Sequence, residues 1–257
     1  MPRCSTPGSA PGMISSISRF TLSSRRPKRP PECSRAMVRE RDMESRRAVH
    51  VVLFDGFADW EPAHALAELR RWGKRVVRTV GFTSAPVVSM GGLTVSQDTS
   101  LDAVAVNGVE LLILPGGDIW EQANYPRERL DPLLAALVAA EIPVAAICAG
   151  TLALGRAGVL DARRHTSNAS DYLTTHASGY AGASYYVDTP AVRDRHVITA
   201  SGLAPVDFAR EVFAELQIFG AADEELWYTM FKEGRLPESS LPTRAALEAL
   251  DGNQSLP

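Results

Sequence analysis

From residue 48 onward, short and nearly continuous apolar runs alternate with amphipathic stretches. Residues 49–54 (VHVVLF), 75–80, 110–114 (ELLIL), 143–147 and 196–200 are the length of strands, and most lack the polar alternation of a half-exposed sheet. Residues 184–187 predict a further strand, and 86–95, with Gly91 and Gly92, a hairpin. Between them, residues 60–72 set Pro62, Ala65, Leu66, Leu69 and Trp72 on one helical stripe, with Glu61, His64, Glu68 and Arg71 on the other side. Asp59 stands as N-cap of that helix, and Pro62 falls in its first turn, where a missing N–H costs little. Asp131 and Pro132 predict the N-cap and first residue of a second helix, with Leu133, Leu134, Leu137 and Val138 at core spacing. Further helices are expected from the turn at 148 to about 156, over 205–216 (Phe208, Val212, Phe213 and Leu216 inward) and over 223–232. This alternation predicts an α/β fold with a mostly parallel sheet covered on both faces. Ligands in such folds bind outside the carboxyl ends of the strands.

Residues 1–47 lack that pattern and hold 11 Lys/Arg against 4 Asp/Glu, while the rest of the 257 residues holds 16 against 26. The stretch 23–31 (SSRRPKRPP) has no apolar residue with which to build a core and predicts disorder. An Arg/Ser-rich targeting segment is one reading of this head. An upstream start assignment, with translation beginning at Met37 or Met43, is the favoured one, because patterning begins abruptly after Met43. The expected organisation is a basic head (1–47), one domain (48–220) and a C-terminal helix and tail (221–257). The acidic body argues against a nucleic-acid partner, and no apolar run reaches the roughly 18 residues of a membrane span. Three cysteines, two of them (Cys4 and Cys33) in the head, make no disulfide framework, which suits a reducing, cytoplasmic setting.

Three predicted strand ends carry the chemistry: 56–61, 116–118 and 148–150. Cys148 leaves a buried strand at a turn into a helix, with small neighbours Ala149 and Gly150 permitting a tight nucleophile elbow. A helix end favours thiolate over thiol, although a cysteine so placed is more often a small buried hydrophobe. Glu61, in the first turn of its helix, is expected at the same sheet edge. Beside a thiolate its pKa rises, so it holds a proton to give to the sulfur; otherwise it is a solvated carboxylate. Gly116 and Gly117 can aim backbone N–H groups at a bound oxygen, forming an oxyanion pocket with Ala149, or simply make a turn. His165 is a candidate for approaching Cys148, while His64 and His176 read as surface residues. Glu61 and His64 lack a third ligand, so no metal and no cofactor is expected; no G-x-G-x-x-G follows any strand.

The segments LFDGFADWEPAHAL, LLILPGGD, VAAICAGTLALGRAGVLD, RRHTSN and ITASGLAPVDFA together resemble a bacterial branch of the ThiJ/PfpI (class I glutamine amidotransferase-like) superfamily, over residues 48–219. The parkinsonism-associated deglycase and intracellular PfpI-type peptidases belong to that superfamily. The resemblance implies a flavodoxin-like three-layer sandwich and a homodimer. It matches Cys148 to the elbow nucleophile, Glu61 to the glutamate sharing its proton, and Gly117 and Ala149 to backbone donors around the substrate oxygen. Two positions depart from the pattern. Ala149 stands where PfpI-type peptidases carry His, and Asn168 where the deglycase branch carries one. The His/Glu pair that completes a glutaminase triad is absent from the end of the domain.

These readings favour a cysteine-dependent enzyme acting on a small molecule, either a reactive carbonyl in the manner of a glyoxalase or deglycase, or a small amide. A redox-sensing or stress-response protein without turnover is the alternative, an intracellular peptidase a second, and an interaction module with an inert cysteine a further one.

Overall fold

The structure is a computed structural model and describes residues 47–122 and 124–236. The expectations for the basic head (1–46) and for the tail beyond 236 lie outside the described residues.

Among the described residues nine strands form: β1 (Ala48–Leu53), β2 (Val77–Gly81), β3 (Val87–Val88), β4 (Thr94–Val95), β5 (Thr99–Ser100), β6 (Val109–Leu114), β7 (Val144–Ile147), β8 (Ala191–Asp194) and β9 (Val197–Ala200). Seven of them make one sheet in the order β5-β2-β1-β6-β7-β9-β8. All its neighbours pair in parallel except β8, which runs antiparallel to β9. β1, β7 and β9 are buried at every position, as central parallel strands with both faces covered must be, whereas the edge strand β8 is mostly not. β3 and β4 form the separate hairpin expected over 86–95.

The helices are α1 (Trp60–Arg71), α2 (Arg127–Ala139), α3 (Thr151–Arg156), α4 (Tyr172–His176), α5 (Pro205–Leu216) and α6 (Ala221–Glu233). α1 packs on α5, and α5 on α6; α2 and α3 pack on each other and on β7. The result is an α/β sandwich around a mixed, mostly parallel sheet. Trp227 of α6 is buried against Phe213, with ring centroids 4.7 Å apart. Asp207 of α5 ties α6 down by accepting from Tyr228 (2.8 Å) and Lys232 (2.6 Å).

Several elements depart from the sequence pattern. α2 begins at Arg127, so Pro132 sits inside it rather than at its start. Pro132 lacks the N–H that Glu128 would receive, a cost of up to about 3 kcal/mol in a helix interior. Burial of Leu130 and the Arg127–Asp131 ion pair at 3.0 Å, both in the added turn, offset it. The segment 184–187 is a 3-10 turn (Ala183–Tyr185) followed by a single bridge from Tyr186 to His165, not a strand. Trp72, the last member of the expected apolar stripe, caps the end of α1 and is 60% exposed, while Glu61 and Glu68 within the helix are buried. Glu68 is compensated by Arg71 at 3.0 Å. Asp59 holds the N-cap position without capping the helix. Its carboxylate instead accepts from Ser89 at 2.5 Å and the Gly91 N–H at 3.2 Å, fastening the hairpin to the start of α1.

One contact in the core governs the site above it. Trp120 is fully buried among Phe54, Phe82 and Tyr125, and its indole N–H donates to the Pro115 carbonyl at 2.7 Å. Burying such a ring contributes roughly 4 kcal/mol, and it pins the glycine turn that follows β6.

Candidate active site

The parallel strands bring three turns to one sheet edge: after β1, after β6 and after β7. Cys148 follows β7 directly and opens a 3-10 turn (Cys148–Gly150) that runs into α3. Its φ is 58°, a left-handed conformation rare for a residue with a Cβ. Such strain is held only where the surroundings overdetermine it. Here β7 is wholly buried, and Thr151 Oγ1 donates to the Cys148 carbonyl at 2.6 Å. Ser167, hydrogen-bonded to the same Thr151 hydroxyl at 2.6 Å, ties in the segment that carries Asn168.

Glu61 reaches this turn from α1. It is 1% exposed, and one carboxylate oxygen accepts the Gly116 N–H at 2.5 Å. Two glycines make room for the encounter. A Cβ on Gly116 would stand 2.8 Å from the Cys148 Cβ and from both Glu61 oxygens. A Cβ on Gly202 would stand 2.8 Å from the Cys148 sulfur. Cys148 and Glu61 thus meet in a slot between two glycine backbones.

The electrostatics follow from burial. Desolvation raises the Glu61 carboxyl to about 7, against the pull of its hydrogen bonds from Gly116 and Cys148. Burial and the Glu61 charge push the Cys148 thiol up to about 11, against the favourable N–H groups of Asn168 and Ala149. The expectation of a sulfur ionised at neutral pH by its helix end is therefore corrected: burial and the acid beside it outweigh the turn's N–H groups. Between these two values the pair holds one proton and one negative charge between sulfur and carboxyl.

Asn168 is brought to the sulfur. Its Nδ2 donates to Cys148 Sγ at 3.3 Å while its Oδ1 accepts the Gly202 N–H at 3.0 Å. A backbone N–H can only donate, so this bond fixes which end of the amide faces the sulfur. The Ala149 backbone N–H also bears on the sulfur. Gly116 is corrected in one respect: its N–H is taken by Glu61 rather than aimed at a bound oxygen. Gly117 N–H has no protein acceptor among the described residues.

His165 is not brought to the sulfur. It is fully buried, with Nδ1 on the Arg163 carbonyl at 2.7 Å and Nε2 on the Tyr180 hydroxyl at 2.6 Å. Both ring nitrogens are engaged, and burial lowers its pKa, keeping it neutral. His165→Phe is expected to destabilise the fold by about 1–2 kcal/mol, by removing the partner of the part-buried Arg163 carbonyl and Tyr180 hydroxyl. The rate of Cys148 alkylation stays unchanged; denaturant titration and iodoacetamide kinetics check both parts. His64 turns to Trp227 and Phe231, away from Glu61, and no group of three metal-ligating side chains occurs among the described residues. Nor is any helix among them long and apolar enough to cross a membrane.

Gly202 and Tyr172 were missed by the sequence reading. Gly202 follows β9 and so shares the sheet edge, a signal available from strand order alone. Tyr172 donates to Glu121 at 2.7 Å and lies close enough to Cys148 for their charges to interact.

Comparison with known proteins fits this geometry. Residues 47–215 match the model of the DJ-1/PfpI family. "Uncharacterized protease YoaZ" of Bacillus subtilis is 36% identical over 196 residues, covering 72% of this chain and 91% of that protein. "Deglycase TK1284" of Thermococcus kodakarensis is 29% identical over 150 residues, covering 58% and 89%. Among solved structures, DJ-1 superfamily protein Atu0886 from Agrobacterium tumefaciens superposes with a TM-score of 0.68 at 37% identity, covering 74% of this chain and all of that one. A thiJ/pfpI family protein from Bacillus anthracis gives 0.67 at 32%, covering 75% and 93%. With the matched region spanning most of the chain and all three strand-end motifs inside it, this protein belongs to the DJ-1/PfpI family.

Proposed function

We propose that the protein is a cysteine-dependent enzyme converting small reactive carbonyls, with Cys148 on a nucleophile elbow of a flavodoxin-like sheet and Glu61 as its proton partner. The single observation that carries this reading is the close approach of Cys148 and the buried Glu61 carboxyl in the slot between Gly116 and Gly202. Sulfur attacks the aldehyde carbon of a 2-oxoaldehyde, and the proton passes to the carbonyl oxygen, giving a thiohemiacetal. Glu61, ionised by that transfer, takes the proton from the same carbon and returns it to the neighbouring one. The first carbon ends as a thioester and the second as a hydroxyl-bearing carbon. Water then cleaves the thioester, releasing a 2-hydroxy acid and restoring the thiol. The sum is aldehyde plus water to hydroxy acid, with no external oxidant. The Gly117 and Ala149 N–H groups are suited to receive the oxyanion. Exposed Trp60, Met90 and Leu93, on α1 and the hairpin fastened to its start, supply an apolar face for a second copy in a homodimer.

The test is lactate formation from methylglyoxal before and after alkylation, with peptide mapping to show that Cys148 is modified. Activity lost in step with Cys148 modification is the expected result. Lactate production persisting after complete modification of Cys148 removes the mechanism.

One observation favours a second reading, oxidation sensing. The Glu61 carboxyl and the Asn168 amide both face the sulfur and would hold sulfinate oxygens. Peroxide converts the thiol to sulfenic acid plus water, and a second equivalent gives sulfinic acid plus water.

A further inference from the structure

We propose that Thr151 and Ser167 are positioning residues that set the reactivity of Cys148, their hydroxyls holding it at its carbonyl directly and at its sulfur through Asn168. This rests on Cys148 being the reactive group, and it gives a role to buried polar side chains that no step of the reaction uses.

Two hydroxyls buried together must find partners, and here the donors can be assigned. Thr151 is 0% and Ser167 3% exposed, and their oxygens lie 2.6 Å apart. A carbonyl oxygen only accepts, so the one hydrogen of Thr151 goes to the Cys148 carbonyl, 2.6 Å away. Thr151 Oγ1 is left as an acceptor, and Ser167 gives its hydrogen to it. The next residue, Asn168, donates from Nδ2 to Cys148 Sγ at 3.3 Å and accepts the Gly202 N–H on Oδ1 at 3.0 Å. These links close a ring that leaves Cys148 at its carbonyl and returns to it at the sulfur. Thr166, one residue earlier, fastens the ring to the sheet. Its N–H donates to the Thr199 hydroxyl of β9 at 2.9 Å, and its own hydroxyl donates to the Thr189 carbonyl at 2.8 Å.

The ring grips the one residue of the site whose side chain sits on a left-handed backbone. With φ at 58°, Cys148 relaxes when its restraints are removed, and the sulfur moves with it. The Asn168 donor favours the thiolate, so a sulfur displaced from it holds its proton more tightly. The titratable groups that face the sulfur are Glu61 from α1 and the Tyr172 phenol from α4. Neither is a hydrogen-bond partner of Thr151 or Ser167. Removing either hydroxyl therefore acts on Cys148 through geometry, with no charge added or lost. A threonine hydroxyl bonded three residues back is also a common way to satisfy a helix start. That plainer role costs stability when lost and leaves the sulfur as it was.

The experiment is the rate of iodoacetamide alkylation at Cys148 in the full chain from pH 6 to 11, read by peptide mass spectrometry. Ser167→Ala opens the ring and leaves the Thr151 bond to the Cys148 carbonyl in place. It is expected to slow alkylation at pH 7 by about threefold. Thr151→Val keeps the shape of the side chain and loses both bonds, and is expected to slow it by about tenfold, with both profiles moved to higher pH. Thr151→Ser keeps the hydroxyl and is expected to keep the parental profile. Asn168→Ala removes the donor itself, so adding Ser167→Ala to it is expected to slow alkylation no further. A parental profile in Ser167→Ala overturns the proposal, and so does a double variant slowed by the product of the two single effects. Ser167→Ala removes a single heavy atom, so the test stands even where Thr151→Val fails to fold. Because alkylation needs no turnover, a chain inactive on methylglyoxal would sink the enzymatic reading while leaving this one to stand or fall on its own data.

Discussion

Glu61→Gln is expected to lower turnover of a 2-oxoaldehyde by about 10²- to 10⁴-fold while speeding alkylation of Cys148 at neutral pH. The two readouts part because Glu61 does two things. Its charge is among the causes that hold the thiol up, so removing it releases a thiolate more readily. Its proton is what the substrate oxygen needs, and Gln has none to give. The variant keeps an oxygen for the Gly116 N–H, which holds the fold. The substitution also leaves a signature in stability. The folded value of Glu61, about 7, lies above its ordinary 4.5, so the folded state keeps a proton that the unfolded chain releases. This contribution is full below pH 4.5 and is lost as pH rises through about 7; its upper size is about 3 kcal/mol. The parent protein is therefore expected to lose stability between those pH values, and Glu61→Gln to lose less across the same window. Denaturant midpoints at pH 4.5 and 7.5 check this. Turnover in Glu61→Gln equal to that of the parent chain would remove the carboxyl from the mechanism.

The frame of the molecule was legible because its central strands are written as continuous apolar runs. VHVVL and ELLIL have no reading other than buried parallel strands once helices alternate with them. What was not legible lay where long-range contacts override local signals. Pro132 looks like a helix start, yet Leu130 and the Arg127–Asp131 pair extend α2 in front of it. The four residues of β8 carry no pattern strong enough to declare a strand; their pairing with β9 does. In the site, Cys148 and Glu61 stood out because strand ends converge in a parallel sheet. The balance of their charges did not, since desolvation depends on Gly116 and Gly202 closing over the pair. His165 showed the converse. Its place 17 residues after Cys148 suggested a role at the sulfur, but only the fold reveals that Tyr180 and Arg163 claim both its nitrogens.

Gly116→Ala is expected to cost about 3 kcal/mol of stability and to reduce turnover at least as far as Glu61→Gln does. The added methyl would lie 2.8 Å from the Cys148 Cβ and from both Glu61 oxygens, so one side must move. Cys148 is fixed by its own left-handed backbone and by buried β7, which leaves the Glu61 side chain to yield. It then forfeits the Gly116 N–H while itself only 1% exposed, and a buried carboxyl without a donor is costly. Gly202→Ala separates stability from chemistry. Its methyl would meet the sulfur at 2.8 Å, the Cys148 Cβ at 2.9 Å and one Glu61 oxygen at 3.2 Å, but the residue lies on a partly exposed loop and Gly116 bonds the other Glu61 oxygen. That variant should unfold near the parent midpoint yet react slowly with both iodoacetamide and substrate. Denaturant titration beside alkylation kinetics distinguishes them, and a Gly116→Ala protein of parental stability and turnover would show that Cys148 and Glu61 do not depend on their close approach.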